Sequence, residues 1–203
     1  MPQNPVVRII AFAALLLAVA VVVLAYTPWG QSLWQGKVAQ EMGAAAIGGP
    51  FKLTDQNGKL RSDADFRGQY ALVFFGYTNC PDVCPTTLQT LTDAMTALGP
   101  KADKVTPVFI TVDPERDTPK MMKGYVENFG PTFIGLTGTS EQISQVARAY
   151  RVYFQKVPGK DGGPYLMDHS SIVYLLDRNG RFVTHFTHEA KAETIAQAVA
   201  RQL

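Results

Sequence analysis

The chain has 203 residues, of which 46% are hydrophobic and 18% are charged, and its formal net charge is +2. This balance is that of an ordinary folded protein and excludes an intrinsically disordered chain. The small net charge and the lack of a basic stripe give no indication of nucleic-acid binding.

An uncharged apolar run, IIAFAALLLAVAVVVLAY, occupies residues 9–26. A helix of this length reaches about 27 Å, close to the roughly 30 Å hydrocarbon core of a bilayer. Arg8 precedes the run, whereas Trp29 and Trp34 follow it, which favours a cytoplasmic amino terminus at residues 1–8 and export of the remainder. A cleaved signal peptide is the alternative, but its apolar stretch is usually only about 7–15 residues long. We therefore expect an uncleaved transmembrane helix.

Residues 27–49 mix Gly, Ala and Gln with little periodicity, which indicates a linker. The remaining residues, 50–203, are enough for one domain with its own hydrophobic core. The apolar run is poor in arginine and does not resemble an organelle transit peptide. We expect a single-pass protein of the bacterial inner membrane whose soluble domain lies in the periplasm, where disulfides are permitted.

The domain alternates predicted strands with predicted helices. Strands are predicted at 51–54, 60–61, 70–77, 105–112, 133–136, 152–157, 171–176 and 181–186. Helices are predicted from Pro85 to Gly99, over 120–129, after a capping box of Thr139 and Gln142, and over 190–202. Pro107 falls inside a predicted strand, which suggests a late start or a bulge. The alternation, followed by a hairpin and a helix, predicts an α/β fold with a mixed central sheet.

The only two cysteines, Cys80 and Cys84, lie in FFGYTNCPDVCP, directly after the apolar strand 70–77. A spacing of four residues places two side chains on one face of a helical turn, so the sulfurs could form a disulfide or share one metal ion. Pro85 suits the first position of a helix, which would place Cys84 near the N-cap, where the helix dipole stabilises a thiolate. Two inert cysteines are the alternative, but so short a loop gains little from cross-linking.

A single histidine, His169, lies in YLMDHS, between a Gly-rich loop at 158–164 and the predicted strand at 171–176. One imidazole with two thiolates suits three-coordinate Cu(I), or Cu(II) with an added group, whereas zinc usually takes a fourth ligand or water. Asp168 could orient this imidazole through a hydrogen bond. The turn-rich loop 113–117 follows another strand, and its Asp113 and Arg116 either brace the loop or contact a partner.

The other two histidines, His185 and His188, are assigned to structure or solvent. Met121, Met122 and Met167 could offer thioether ligands, but packing in the core or on the surface is the more common role of methionine.

Three motifs, GYTNCPDVCP, VDPERDTP and YLMDHS, follow one another behind the predicted anchor. In this order they resemble the Sco/SenC family of copper proteins over about residues 47–203. The resemblance implies a thioredoxin-like fold in which Cys80, Cys84 and His169 bind one copper ion, as Cu(I) or Cu(II). It also implies a membrane-anchored metallochaperone that helps assemble the dinuclear copper centre of cytochrome c oxidase subunit II. Its expected partners are that subunit and another periplasmic copper donor or thiol reductant.

The same residues permit an enzymatic alternative. Thiolates that hold copper also exchange disulfides, so the chain could reduce the cysteine pair of that subunit, or act as a thioredoxin-fold peroxidase. The C-x-x-x-C spacing is one residue wider than the usual redox motif, which favours the chaperone. A metal-free redox sensor or scaffold is a third class. His169 separates these functions, because disulfide exchange needs the cysteines alone whereas copper retention needs all three residues.

Overall fold

The computed structural model describes residues 12–19, 47–159 and 163–203. The chain divides into two units, Met1–Ala45 and Ala46–Leu203. Residues 12–19 are helical, and within the described ranges no helix has the length and apolarity that crossing a bilayer requires. Most of the predicted transmembrane helix 9–26 and of the predicted linker 27–49 lies outside the described residues, so both stay predictions.

The strands that the structure describes all belong to the second unit, and seven of them form one mixed sheet. The strands are β1 Lys52–Asp55, β2 Leu60–Ser62, β3 Tyr70–Gly76, β4 Val105–Thr111, β5 Ile134–Thr137, β6 Phe154–Val157, β7 Leu166–His169, β8 Ile172–Leu176 and β9 Phe182–Thr187. The α-helices of this unit are α1 Val83–Leu98, α2 Pro119–Val126, α3 Ser140–Ala149 and α4 Ala192–Ala200. The order across the sheet is β2-β1-β5-β4-β3-β8-β9; β3, β4 and β5 are parallel, and the other neighbours are antiparallel. The predicted α/β architecture with a mixed central sheet is confirmed.

Strand β3 lies inside the sheet and is buried along its whole length, as a strand covered on both faces should be. Its successive side chains pack in opposite directions. Phe74 packs against Phe109 on the face that carries Cys84, with 6.2 Å between ring centroids. Phe75 packs against Tyr150, the C-cap residue that follows α3, with 5.2 Å between ring centroids. The core therefore lies on both sides of the sheet.

The helices bury the faces that their periodicity predicts, with one shift. Helix α1 buries the predicted stripe of Leu88, Leu91, Met95 and Leu98. Helix α3 begins with the predicted capping box, in which Thr139 and Gln142 accept hydrogen bonds from each other's backbone N–H groups. Helix α4 is shorter than the predicted 190–202, and Ala196 rather than Ala198 is buried beside Ile195 and Val199.

Pro107 neither delays nor bulges the strand that contains it, so that prediction was wrong. Strand β4 begins at Val105 and pairs with β3 without a break, Pro107 lying opposite Leu72. On the other side of β4, pairing with β5 starts only at Val108. The missing N–H of Pro107 is tolerated because that edge of the strand has no ladder hydrogen bond to lose at this point.

The carboxyl ends of β3 and β4 lie side by side. Gly76 pairs with Thr111, and the Val112 N–H donates to the Gly76 carbonyl oxygen at 2.8 Å. The segment with the cysteines follows β3, and the loop 113–117 follows β4. Both polar segments therefore meet at this edge, as the predicted strand order requires.

Strands β6 and β7 form a second, two-stranded antiparallel sheet, in which Phe154 lies opposite His169. The sequence predicts an extended segment at 152–157 but no strand at Leu166–His169. In a strand of only four residues, the alternation of buried and exposed side chains is too short to be recognised in the sequence. His169 is thus the last residue of a hairpin strand rather than part of a loop.

Candidate metal centre

The structure brings the three predicted ligands together. The ligand atoms of Cys80, Cys84 and His169 all lie within 4.8 Å of one another, and no other comparable cluster occurs among the residues that the structure describes. Cys84 Sγ lies 3.5 Å from His169 Nε2. Both cysteines are free thiols; Cys84 is fully buried, whereas Cys80 is half-buried. This arrangement presents two sulfurs and one imidazole nitrogen to a common point.

The cysteines meet through the turn before α1, and not through a shared helical face as their spacing suggests. Helix α1 begins at Val83 with Asp82 as N-cap, so Pro85 occupies its third position rather than its first. This position is also tolerated, because the first four N–H groups of a helix have no intrahelical partner. Cys80 lies outside the helix, and its Sγ accepts a hydrogen bond from the Cys84 backbone N–H at 3.4 Å. Cys84 nevertheless lies in the first turn, as predicted.

The pKa values of the two cysteine thiols are shifted in opposite directions. The hydrogen bond from the Cys84 thiol lowers the pKa of Cys80 well below the ordinary value of 9.0. The same hydrogen bond, together with burial, raises the pKa of Cys84. The half-buried Cys80 is therefore the thiolate of the pair, and the buried Cys84 keeps its proton.

Gly76 provides the space that the Cys84 sulfur occupies. A Cβ atom at Gly76 would lie 2.7 Å from Cys84 Sγ and 2.8 Å from Phe109 Cε2. Both distances are below any real Cβ contact, so a larger residue would displace the sulfur. The sequence gives no sign of this role, since a glycine at the end of an apolar strand does not reveal what packs on it.

The His169 ring is oriented by its neighbours in the fold. It lies edge-on to Tyr77 and Phe74, with ring centroids 5.9 and 6.1 Å away. Its Nδ1 lies 3.3 Å from the carbonyl oxygen of Ser170. A proton on Nδ1 donates to this oxygen and leaves the lone pair of Nε2 facing the sulfur, which is the tautomer that a ligand needs. Asp168, predicted to orient the ring, is exposed and is not its hydrogen-bond partner, because neighbouring strand residues point to opposite faces.

A buried carboxylate fixes the segment before Cys80. Asp117 is fully buried and accepts hydrogen bonds from the backbone N–H of Thr78 at 3.0 Å and from the hydroxyls of Thr78 and Thr111. Burial raises the pKa of Asp117, while the threonine hydrogen bonds oppose that rise. The loop 113–117 is recognisable in the sequence, but the part that Asp117 plays in it is not.

The predicted bracing pair of Asp113 and Arg116 is present. Arg116 Nε donates to Asp113 Oδ2, and Asp113 is 1% exposed. Tyr165, which the sequence gave no reason to select, completes the arrangement because its hydroxyl donates to Asp113 Oδ1 at 2.9 Å. The loop 113–117 is therefore held from inside the fold; contact with a partner stays a prediction.

The other candidates behave as packing or surface residues. Met122 and Met167 are buried in the core, and Met121 is exposed. His185 is exposed on β9 and stacks on Phe182, while His188 is exposed near the start of α4. None of them belongs to the cluster at Cys80.

Comparison with known proteins identifies the family. The SCO1/SenC family model matches residues 39–203. A SCO2-like protein of Rickettsia prowazekii is 45% identical over 152 residues, which are 74% of this chain and 74% of the relative. The structure of Bradyrhizobium japonicum ScoI with copper bound has a TM-score of 0.72 and 52% identity, and the match covers 78% of this chain and 100% of that one.

A more distant solved structure carries information on function. BsSco, described as a member of the Sco family of cytochrome c oxidase assembly proteins in which a disulfide switch was identified, has a TM-score of 0.63 and 25% identity. The match covers 78% of this chain and 94% of BsSco. These likenesses confirm the thioredoxin-like fold that the three motifs imply. The chain belongs to the SCO1/SenC family.

Proposed function

We propose that this chain is a membrane-anchored copper metallochaperone that binds one copper ion through Cys80, Cys84 and His169. The observation that carries the proposal is the convergence of two sulfurs and one imidazole nitrogen within 4.8 Å. Thiolate and imidazole ligands in a set of three suit Cu(I), and an added group completes a site for Cu(II). The relative from Bradyrhizobium japonicum, which was solved with copper bound, supports the choice of metal.

The two cysteines divide the work of binding. Cys80 is already a thiolate and is half-exposed, so it is the sulfur that an incoming ion reaches first. Ligation by Cys84 would require its thiol to give up a proton to the solvent, so copper binding would be accompanied by proton release. His169 would bind through the Nε2 lone pair that a proton on Nδ1 leaves free, and its Nε2 lies 3.5 Å from Cys84 Sγ.

The proposal also includes a target protein and a cellular location for this chain. BsSco belongs to a family of cytochrome c oxidase assembly proteins, which supports a role in loading the dinuclear copper centre of subunit II of that enzyme. The uncharged run at 9–26 supports a single anchor in the bacterial inner membrane, with residues 50–203 in the periplasm. A periplasmic copper donor or thiol reductant would be a further partner.

A thiol–disulfide reductase acting on the cysteine pair of that subunit is the second candidate. It is favoured by the acidity of Cys80, because a half-exposed thiolate beside a free thiol is the arrangement that attacks a disulfide. An oxidised pair has no thiolate to offer copper, so the redox state of the pair would gate metal loading.

Copper binding by the full chain tests the proposal. Wild type should bind one copper ion, and Cys80→Ser, Cys84→Ser and His169→Ala should each weaken Cu(II) binding strongly. His185→Ala is the matched control, because this exposed histidine lies on β9 outside the cluster. His169→Ala should still exchange disulfides, which needs only the cysteines. Undiminished copper affinity in His169→Ala would refute the ligand assignment.

A further inference from the structure

We propose that Arg116 is a positioning residue that holds His169 at the cysteine pair by clamping the β6–β7 hairpin to the loop 113–117. The inference rests on the proposed function, because it assigns Arg116 a part in forming that copper site. Arg116 touches none of the three ligands through a hydrogen bond or ion pair; it acts through the hairpin that carries one of them.

The hairpin that carries His169 lies outside the main sheet. Strands β6 and β7 pair only with each other, over four residues each. An isolated two-stranded hairpin is marginally stable in water, so its position must be set by contacts with the rest of the domain. His169 stands at the end of β7, and Tyr165 immediately precedes that strand. A contact at Tyr165 therefore acts on the whole strand.

Arg116 contacts Tyr165 in two ways, through an N–H donor and through the stacked plane of its guanidinium group. Its Nη1 donates to the Tyr165 carbonyl oxygen at 2.9 Å, and its Cζ lies 3.7 Å from the centroid of the Tyr165 ring. Nε pairs with Asp113, whose other carboxylate oxygen accepts from the Tyr165 hydroxyl. These three residues form a closed ring of interactions. A planar fork that stacks and donates at once is a property of arginine that lysine lacks.

The same loop also grips the cysteine side of the site. Asp117 accepts hydrogen bonds from the backbone N–H and the hydroxyl of Thr78, which lies two residues before Cys80. The guanidinium of Arg116 also lies 5.7 Å from the ring centroid of Tyr77, which in turn lies edge-on to His169. The loop 113–117 thus contacts both the sulfur-bearing and the imidazole-bearing segments, and it fixes the separation between them.

Burial makes the clamp specific to one arrangement. Asp113 is 1% exposed, so a hairpin that moves away leaves a buried carboxylate without the Tyr165 hydroxyl. Unpaired buried polar groups are strongly unfavourable, which favours the clamped position. The neighbouring pair of Glu115 and Lys156 is exposed and adds little.

Arg116→Met in the full chain tests the inference. Cu(II) affinity should fall roughly 10–100-fold, the range observed when groups that orient metal ligands are removed. The nitrogen hyperfine coupling in the electron paramagnetic resonance spectrum of the Cu(II) form should weaken, since His169 no longer stays at the metal. Arg116→Lys should recover only part of the affinity. Arg148→Met, at an exposed arginine on α3, is the matched control and should change neither readout.

A double-mutant cycle separates positioning from general destabilisation. If Arg116 acts through His169, Arg116→Met should have no further effect on copper affinity in the His169→Ala background. An equal loss in both backgrounds, or wild-type affinity and coupling in Arg116→Met, would overturn the inference. If Arg116→Met does not fold, Tyr165→Leu removes the stacked ring and the hydroxyl instead; the same non-additive loss is expected, and unchanged affinity refutes the clamp. Failure of the proposed function is distinct, because it requires that His169→Ala itself leave copper binding unchanged.

Discussion

Gly76→Ala should damage the metal centre without altering any ligand. The added Cβ would lie 2.7 Å from Cys84 Sγ, 2.8 Å from Phe109 Cε2 and 3.2 Å from Phe74 Cε1. An ordinary contact begins near 3.4 Å, so relief of the first clash alone requires a shift of about 0.7 Å (3.4 − 2.7). Cys84, Phe109 and Phe74 are all fully buried, and no flexible side-chain end is available to yield.

This shift exceeds what a metal site tolerates, since ligand distances normally hold within about 0.2 Å. Overpacking of a core costs about 1–3 kcal/mol. Gly76→Ala should therefore lower the free energy of unfolding by about that amount, and it should also weaken copper binding. Urea unfolding and copper competition titration of the full chain measure the two effects.

Two other glycines supply the controls. A Cβ at Gly135 would meet Val126 and Met122 at 3.0 and 3.1 Å, away from the cluster, so Gly135→Ala should leave copper affinity unchanged even though it also adds a methyl group to the core. Gly124, exposed within α2, has nothing within 4 Å, and Gly124→Ala should stabilise the helix by up to about 1 kcal/mol. Wild-type stability and wild-type copper affinity in Gly76→Ala would refute the close-approach argument.

Two further predictions concern buried ionisable groups. Asp117→Asn should lower the free energy of unfolding near pH 7 by about 1–3 kcal/mol, because an amide cannot accept the hydrogen bonds of Thr78 and Thr111 as a carboxylate does. Burial raises the pKa of Asp117 in the folded chain, so this residue contributes stability below its unfolded pKa of about 3.9, and that stability is lost as pH rises through the raised value. Urea unfolding at a series of pH values should show this pH-dependent component in wild type and not in Asp117→Asn. Identical pH profiles of the two proteins would contradict the prediction. Cys80 should react with iodoacetamide well below pH 9, and Cys84→Ala should move this reactivity to higher pH by removing the hydrogen bond that lowers the pKa of Cys80. Mass spectrometry of the alkylated chain measures the extent of Cys80 alkylation at each pH. An unchanged pH profile in Cys84→Ala would refute the stabilisation of the Cys80 thiolate by the Cys84 thiol.

The cluster of three candidate ligands was predictable from sequence because it depends on the chemical identity of the residues. Cys80 and Cys84 are the only cysteines in the sequence, and His169 is the histidine that lies in one of the three motifs, YLMDHS. The buried strands and the helix faces were also predictable, since their periodicity reflects burial directly. Parallel order then places the segments after β3 and β4 at the same edge.

The parts that failed depend on tertiary contacts that leave no local signal. Pro107 was misread because only the neighbouring strands decide whether its missing N–H matters. Gly76 and Tyr165 look ordinary in sequence, and their importance comes from residues far along the chain. Asp117 lies in a polar loop, where a buried carboxylate cannot be distinguished from a solvated one until the fold is known.

The position of the β6–β7 hairpin has a consequence for how copper would leave the proposed site. The two sulfur donors belong to the body of the domain, whereas the nitrogen donor stands on a ribbon that shares no ladder with the seven strands. Withdrawal of the ribbon would cost only a local opening and not global unfolding. In the proposed site, Cys80 and Cys84 would then still hold copper while His169 moved away, and an acceptor could approach from the side that the hairpin leaves open. If the chain delivers copper as proposed, such a stepwise exchange would keep the ion from being free in solution.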